Sequence, residues 1–117
     1  MSAAPVLLTS GDPSGVGPEI AVKAWEAGER FVWVGDPRHL PDGCKWRELA
    51  DLAEVRQSGA MPILRHDFAA PAKPGQPDPN NARGVIEVIE RAVALVQSGM
   101  AGAICTAPIN KKALKDG

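Results

Sequence analysis

Gly11-Asp12-Pro13-Ser14-Gly15-Val16-Gly17-Pro18-Glu19-Ile20 is the stretch that decides the fold. Ahead of it the apolar run Val6-Leu7-Leu8 predicts a buried strand. Behind it Ala21-Val22-Lys23-Ala24-Trp25-Glu26-Ala27 predicts a helix that ends at Gly28. The decapeptide is therefore a strand-to-helix turn, the position where α/β proteins place their ligand sites. Its three glycines permit positive φ and close approach of another group. Pro18 suits the first helical position, and Glu19 complements the positive end of the helix. Two readings follow from this chemistry: a loop whose N–H groups face an anion or polar substrate, or a tight structural turn. Neither a G-x-G-x-x-G fingerprint nor a Walker A loop is present, because the close glycine pair comes last and no Gly-Lys-Ser/Thr follows. Glu19 also disfavours a bare phosphate cradle, since it already occupies the helix dipole.

Outward from the turn, the chain alternates strand and helix signals. Phe31-Val32-Trp33-Val34 predicts a second buried strand, and Gly35-Asp36-Pro37 a turn whose Asp36 caps a short helix through Leu40. Asp36 also lies where an acidic ribose-binding tip would fall, and the capping reading is favoured. His39 is expected to face solvent. Apolar residues at 46, 49, 50 and 53 predict a helix across Trp46–Ala53. Met61-Pro62-Ile63-Leu64 predicts a strand, placed at an edge by its proline. His66 and Asp67 follow it without a third metal ligand nearby. The proline-rich segment 69–79 reads as an extended surface loop.

The clearest helix opens at Asn80 and closes at Gly99, with Ala82, Val85, Ile86, Ile89, Ala92, Val93 and Val96 as its apolar face and Glu87–Arg91 as an i,i+4 pair. Ala101–Thr106 is small and apolar enough for a central strand. Ala107-Pro108 breaks it, and Ile109–Leu114 begins another helix. Sequential β-α-β units with no internal repeat predict an α/β fold, three layers α/β/α around a mainly parallel sheet.

Bulk properties narrow the function classes. The 117 residues make one domain, 1–117, with 44% hydrophobic and 23% charged residues, ordinary values for a globular protein. A net charge of −1 gives no basis for binding nucleic acid or an anionic membrane. The N-terminus lacks the basic start and apolar core of a secretory leader, and Cys44 and Cys105 read as free thiols of a reducing, cytoplasmic compartment.

Ligands of open α/β sheets collect beyond the carboxyl ends of strands. Two such ends carry unusual residues: Asp12, Gly15 and Gly17 after the first strand, and Thr106, Asn110 and Lys111 after the last. If those strands are neighbours, the six residues share one cleft. Thr106 and Asn110 would orient hydroxyl or carbonyl groups, and Lys111 would supply a point charge for phosphate or carboxylate. A lysine at a helix N-terminus is unfavourable unless it has such a partner.

The decapeptide, together with Thr106-Ala107-Pro108-Ile109-Asn110-Lys111 in the same order, resembles the 4-hydroxythreonine-4-phosphate dehydrogenase family of pyridoxal phosphate biosynthesis. The resemblance covers the chain but corresponds to the N-terminal portion of such an enzyme. It implies a fold similar to isocitrate and isopropylmalate dehydrogenases, with two subdomains around a cleft and a homodimer. It implies oxidation of 4-phosphooxy-threonine, a phosphorylated hydroxy-amino acid, with NAD or NADP, followed by decarboxylation. A divalent metal (Zn, Mg or Co) held by histidines would polarise the hydroxyl. The family's metal-binding histidines and its Gly-His-Thr motif fall beyond Gly117, and neither His39 nor His66 matches them. No catalytic residue and no metal ligand is therefore assigned here, and the isolated chain is expected to bind no cofactor and to be inactive. The alternatives are a non-catalytic α/β module binding a small phosphorylated ligand or a partner chain, and a sugar- or acyl-phosphate transferase on a related fold.

Overall fold

A computed structural model describes residues 4–11, 17–50, 52, 59–70 and 79–106. Five strands, β1 (Val6–Thr9), β2 (Val32–Gly35), β3 (Trp46–Glu48), β4 (Met61–Arg65) and β5 (Ala103–Thr106), form one sheet in the order β3-β4-β2-β1-β5. Every pairing in it is parallel. Among the described residues are two α-helices, α1 (Gly17–Glu26) between β1 and β2 and α2 (Ala82–Gln97) between β4 and β5, with short 3₁₀ turns at Pro37–His39 and Pro79–Asn81.

Side-chain alternation along the strands places the helices on opposite faces. Leu7, Val32, Val34 and Leu64 point to one side, where they pack with Val85, Val88 and Ala92 of α2. Leu8, Trp33, Met61 and Ile63 point to the other, against Ala21 and Val22 of α1. Val32, Val34 and Val88 are fully buried, each worth about 2 kcal/mol relative to exposure. The expected α/β/α layering is thus observed.

Both helices stop as their glycines predict. Gly28 has φ 103° and Gly99 φ 83°. Glu29 N–H reaches Ala24 O and Gly28 N–H reaches Trp25 O; Met100 N–H and Gly99 N–H repeat the pattern on Leu95 O and Val96 O. These are paired Schellman closures, which only a residue tolerant of positive φ completes without strain.

Four expectations fail, each for a tertiary reason. Trp46–Glu48 is a strand rather than the first turn of a helix. Its pairing with β4 overrides the local spacing, and Leu49 N–H continues it to Ile63 O at 2.8 Å. Of the rest of that expected helix, Leu49, Ala50 and Leu52 are described and none of them lies in an α-helix, while Asp51 and Ala53 lie outside the described residues. Second, β4 is not an edge strand, because β3 covers its outer side. Met61 N–H donates to Lys45 O on the β3 side. The nitrogen of Pro62 therefore faces β2, where pairing begins only at Ile63, so no ladder bond is lost. Third, β5, small enough for a sheet centre, lies at an edge among the described residues.

Fourth, α2 is rolled away from the expected stripe. Val88 is fully buried, whereas Ile86 and Val93 are 40% and 39% exposed. The roll is set by polar ties along one flank. Glu87 bonds His66 (3.2 Å) and Arg83 (3.7 Å) rather than Arg91, and Arg91 donates to Arg65 O at 2.7 Å. Gly84 faces the Phe68 ring directly.

That last contact predicts an inverted sign for a common helix-stabilising change. Gly84→Ala ordinarily gains about 1 kcal/mol in a helix. Here the new methyl would lie 2.6 Å from Phe68 Cδ2 and 2.9 Å from Cγ. The ring is boxed edge-on by His39 and His66 at 5.0 and 6.0 Å. We expect a loss of about 1–3 kcal/mol, measured as a lowered urea midpoint; an unchanged or raised midpoint would contradict this packing.

Candidate functional site

The strand order reverses at β1. The chain leaves β1 through α1 on one face to reach β2, and later returns from β4 through α2 on the other face to reach β5. Such a reversal, with the connecting helices on opposite faces, is where open α/β sheets bind their ligands, beyond the carboxyl ends of the strands, here β1 and β5. The register pairs Thr9 with Thr106. The last residues of β1 and β5 thus stand side by side.

Of the six candidate residues, two are described. Gly17 is buried at the start of α1, and Thr106 is exposed at the end of β5. Asp12, Gly15, Asn110 and Lys111 lie outside the described residues. Two groups at the same place were missed by sequence reasoning: Thr9 and Ser10. Both are buried, and neither hydroxyl has a hydrogen-bond partner among the described residues. Buried hydroxyls are almost always satisfied, so two unpaired ones in succession mark this strand end as polar. Their signal was two hydroxyl residues directly after an apolar run.

The neighbouring ends of β2 and β4 are closed by an internal network. Asp36 is fully buried and caps the first 3₁₀ turn by accepting from Arg38 N–H at 2.9 Å. It also accepts from the Arg38 guanidinium (2.8 Å) and from Phe68 N–H (2.9 Å). With its oxygens so engaged, it is not free to serve a ribose, and the capping reading holds. Burial alone would push the Asp36 carboxyl up. Hydrogen bonds from the Arg38 side chain and from the Phe68 and Arg38 N–H groups outweigh it, holding the carboxyl at about 2.

His39 is also buried, contrary to the expectation that it faces solvent. It packs edge-on to Phe68, and its Nε2–H donates to Ala70 O at 2.9 Å. Asn81 accepts from Ala70 N–H at 2.9 Å, tying the same residue to the entrance of α2. Burial lowers the His39 pKa; the Ala70 carbonyl and Asp36 oppose the shift without cancelling it.

These commitments decide what the described residues can hold. His39 and His66 are both engaged, by Ala70 and Glu87, and no group of three His, Cys, Asp or Glu side chains among the described residues suits a metal ion. The described residues do not fit a divalent metal, and with Asp36 engaged they do not fit the usual dinucleotide fingerprint either. A cavity of about 240 Å³ lined by Val22, Trp25, Glu26, Cys44, Lys45 and Met61 lies at the opposite, amino ends of β3 and β4. Burial, aided by Glu26, raises the Cys44 thiol, so it is no activated nucleophile. No helix among the described residues is long and apolar enough to cross a membrane.

Comparison with known proteins agrees with the motif reading. The family profile described as pyridoxal phosphate biosynthetic protein PdxA matches residues 27–117. A 4-hydroxythreonine-4-phosphate dehydrogenase of Paracoccus denitrificans is 60% identical over 98% of this chain and 36% of its own length. One from Roseobacter denitrificans is 55% identical over 97% of the chain and 36% of its length. Crystal structures of 4-hydroxythreonine-4-phosphate dehydrogenases superpose over 97% of the chain. The Klebsiella pneumoniae protein gives a TM-score of 0.85 at 28% identity, covering 39% of its length, and the Burkholderia phymatum protein 0.83 at 33% identity, covering 39%. The chain spans a little over a third of the length of the curated relatives it matches. The fold expected from the resemblance, that of isocitrate and isopropylmalate dehydrogenases, is the fold these neighbours share with it.

The buried network predicts two separate acid-sensitive steps. Neutral His39 contributes stability that is complete above its ordinary value of 6.5 and is lost as pH falls below it, because the unfolded chain takes up a proton that the folded chain resists. Ionised Asp36 contributes stability that is complete above 3.8 and is lost between there and about 2, an amount on the order of 2 kcal/mol. His39→Gln keeps an N–H donor for Ala70 and removes the first titration. Urea midpoints followed from pH 7.5 to 5 should then fall with pH in the parent and less steeply in the variant; identical slopes would show that His39 is not the buried base.

Proposed function

The chain belongs to the family of pyridoxal phosphate biosynthetic protein PdxA, and from that premise we propose that it forms the substrate-anchoring part of an NAD(P)-dependent, metal-assisted dehydrogenase. The substrate is 4-phosphooxy-threonine, whose secondary alcohol is oxidised and whose β-keto acid product then loses carbon dioxide. One observation supports this above the rest: β5 lies directly beside β1 at the reversal of strand order, with Thr9 opposite Thr106. Thr9 and Thr106, each next to one motif segment in sequence, are thus side by side at the kind of strand-end position where α/β enzymes bind small ligands.

In this reading Thr106 and Asn110 orient the polar groups of the substrate, and Lys111 meets its phosphate or carboxylate as a compact point charge. Asp12 and the backbone of Gly15 and Gly17 line the other wall. NAD or NADP supplies the hydride acceptor. Its site, and the histidines for the metal, belong to polypeptide outside the described residues, which offer no fitting donor set. We therefore assign no proton transfer to a residue of this chain. The active assembly is a homodimer of full-length chains in the cytoplasm.

Two measurements test the reading. The purified chain, mixed with 4-phosphooxy-threonine, NAD or NADP and Mg²⁺, Zn²⁺ or Co²⁺, should give no reduced nicotinamide; turnover would overturn the assignment of the missing groups to other polypeptide. In an enzyme carrying this chain fused to the remaining length of the Paracoccus relative, Lys111→Met should raise KM for the phosphorylated substrate by about 10–100-fold, the loss of one charge-assisted contact, with a smaller effect on kcat. Lys111→Arg should recover part of it. An unchanged KM would remove Lys111 from the site.

A further inference from the structure

We infer that the buried hydroxyl of Thr9 positions Thr106: on substrate binding it donates to Thr106 Oγ1, so that the Thr106 O–H is left to donate to an anionic oxygen of the substrate. The inference rests on the reading above, in which Thr106 orients the substrate. It adds a residue that neither motif segment contains.

The register decides which groups Thr9 can reach. Side chains alternate along a strand, so Thr9 faces the same side as Leu7, toward α2. It stands level with Val34 of β2 and with Thr106 of β5, and Val34 in turn is level with Leu64 of β4. One row on the α2 side of the sheet therefore reads Leu64, Val34, Thr9, Thr106. Leu64 and Val34 are core residues. Thr106 lies two positions after Ile104, which packs against that core, and is exposed. Thr9 thus has an apolar neighbour on one side and a hydroxyl on the other, at the step from the core to the surface.

The Thr9 hydroxyl does nothing for the free fold. Thr9 is 1% exposed, and its Oγ1 has no hydrogen-bond partner among the described residues. Valine has nearly the same shape, suits a strand equally well, and occupies the neighbouring level position on β2. A hydroxyl there has given up water and gained no partner. Buried hydroxyls are so rarely left unpaired that one kept beside an exposed hydroxyl, at a ligand-binding strand end, points to a bond made only when ligand arrives.

The reach is sufficient. Adjacent strands lie about 4.8 Å apart, and a single torsion with staggered wells sets each threonine hydroxyl. Rotation can bring the two oxygens to about 2.8 Å, an ordinary O–H···O distance. The direction of the bond follows from the acceptor beyond it. A carboxylate or phosphate oxygen only accepts, so the Thr106 O–H points to the substrate and Thr106 Oγ1 accepts from Thr9. A hydroxyl that accepts one bond becomes a better donor in the next. Ser10, the other unpaired hydroxyl, takes no part: it faces the α1 side, with its Cβ beside the Trp33 ring above Gly35.

A double-mutant cycle tests this in the enzyme made by fusing the chain to the remaining length of the Paracoccus denitrificans relative, assayed with 4-phosphooxy-threonine, NAD or NADP and a divalent metal. Thr9→Val should raise KM about tenfold, the loss of one hydrogen bond, with a smaller effect on kcat. Thr9→Ser, which keeps the hydroxyl, should stay within about twofold of the parent. Thr106→Val should raise KM at least as much, and adding Thr9→Val to it should change KM by less than about twofold, because Thr9 acts through Thr106. The urea midpoint of Thr9→Val without substrate should equal or exceed that of the parent. A parental KM for Thr9→Val, an equal effect of Thr9→Val in the Thr106→Val background, a failure of Thr9→Ser to restore KM, or a lowered urea midpoint would each overturn the inference; the last would mean that the hydroxyl already has a structural partner. If the parent fusion neither binds nor turns over 4-phosphooxy-threonine, the reading above fails and this inference fails with it. An active parent that Thr9→Val leaves unchanged removes this inference alone.

Discussion

The pairing of β1 with β5 is the constraint on which the rest depends. β1 carries β2 on one side and β5 on the other, and each neighbour is reached by a helix on a different face. This arrangement sets the reversal of strand order at the carboxyl ends of β1 and β5, puts Thr9 beside Thr106 there, and leaves β5 with one neighbour among the described residues. Without it the chain would still have an amphipathic helix and apolar strands, but nothing to set the end of β1 beside the end of β5.

The polar network around Asp36 performs a different task. It seals the ends of β2 and β4, next to those of β1 and β5. The Asp36 carboxylate is satisfied by Arg38 and Phe68, and the Phe68 ring in turn fixes the roll of α2 through Gly84. A buried charge is tolerable only when its hydrogen bonds are filled, and here the groups that fill it also orient the helix. The same network occupies His39, one of two histidines in the sequence.

Much of the architecture was legible because local and tertiary preferences agree. Val6-Leu7-Leu8 and Phe31–Val34 can be little but buried strands, and Gly28 and Gly99 stop helices by a backbone conformation that few other residues adopt. Legibility failed where a partner decides. Trp46 has helical company at 49, 50 and 53, yet the open side of β4 draws it into a strand. Ile86 and Val93 look like core by period, and the roll that exposes them comes from His66, Arg65 and Phe68, more than a dozen residues away. His39 sits in a turn, and only Phe68 and Ala70 reveal that it is enclosed. At the carboxyl ends of β1 and β5, Gly17 and Thr106 were singled out by motif, while Thr9 and Ser10 escaped because hydroxyls after a strand are common and their burial is invisible in one dimension.

The register pairs Leu7 with Val32 on one side and with Ile104 on the other. The first partner is close in sequence and the second is nearly the full chain away. During synthesis the inner half of the sheet can therefore assemble early, while one side of β1 waits until Ala103–Thr106 has emerged from the ribosome. Closing so long a loop costs entropy before any contact repays it. Protection of the β5 amides, and of the β1 amides that face them, should accordingly be the last acquired, and the newborn chain passes through a stage in which β1, flanked on both sides in the finished sheet, is an edge.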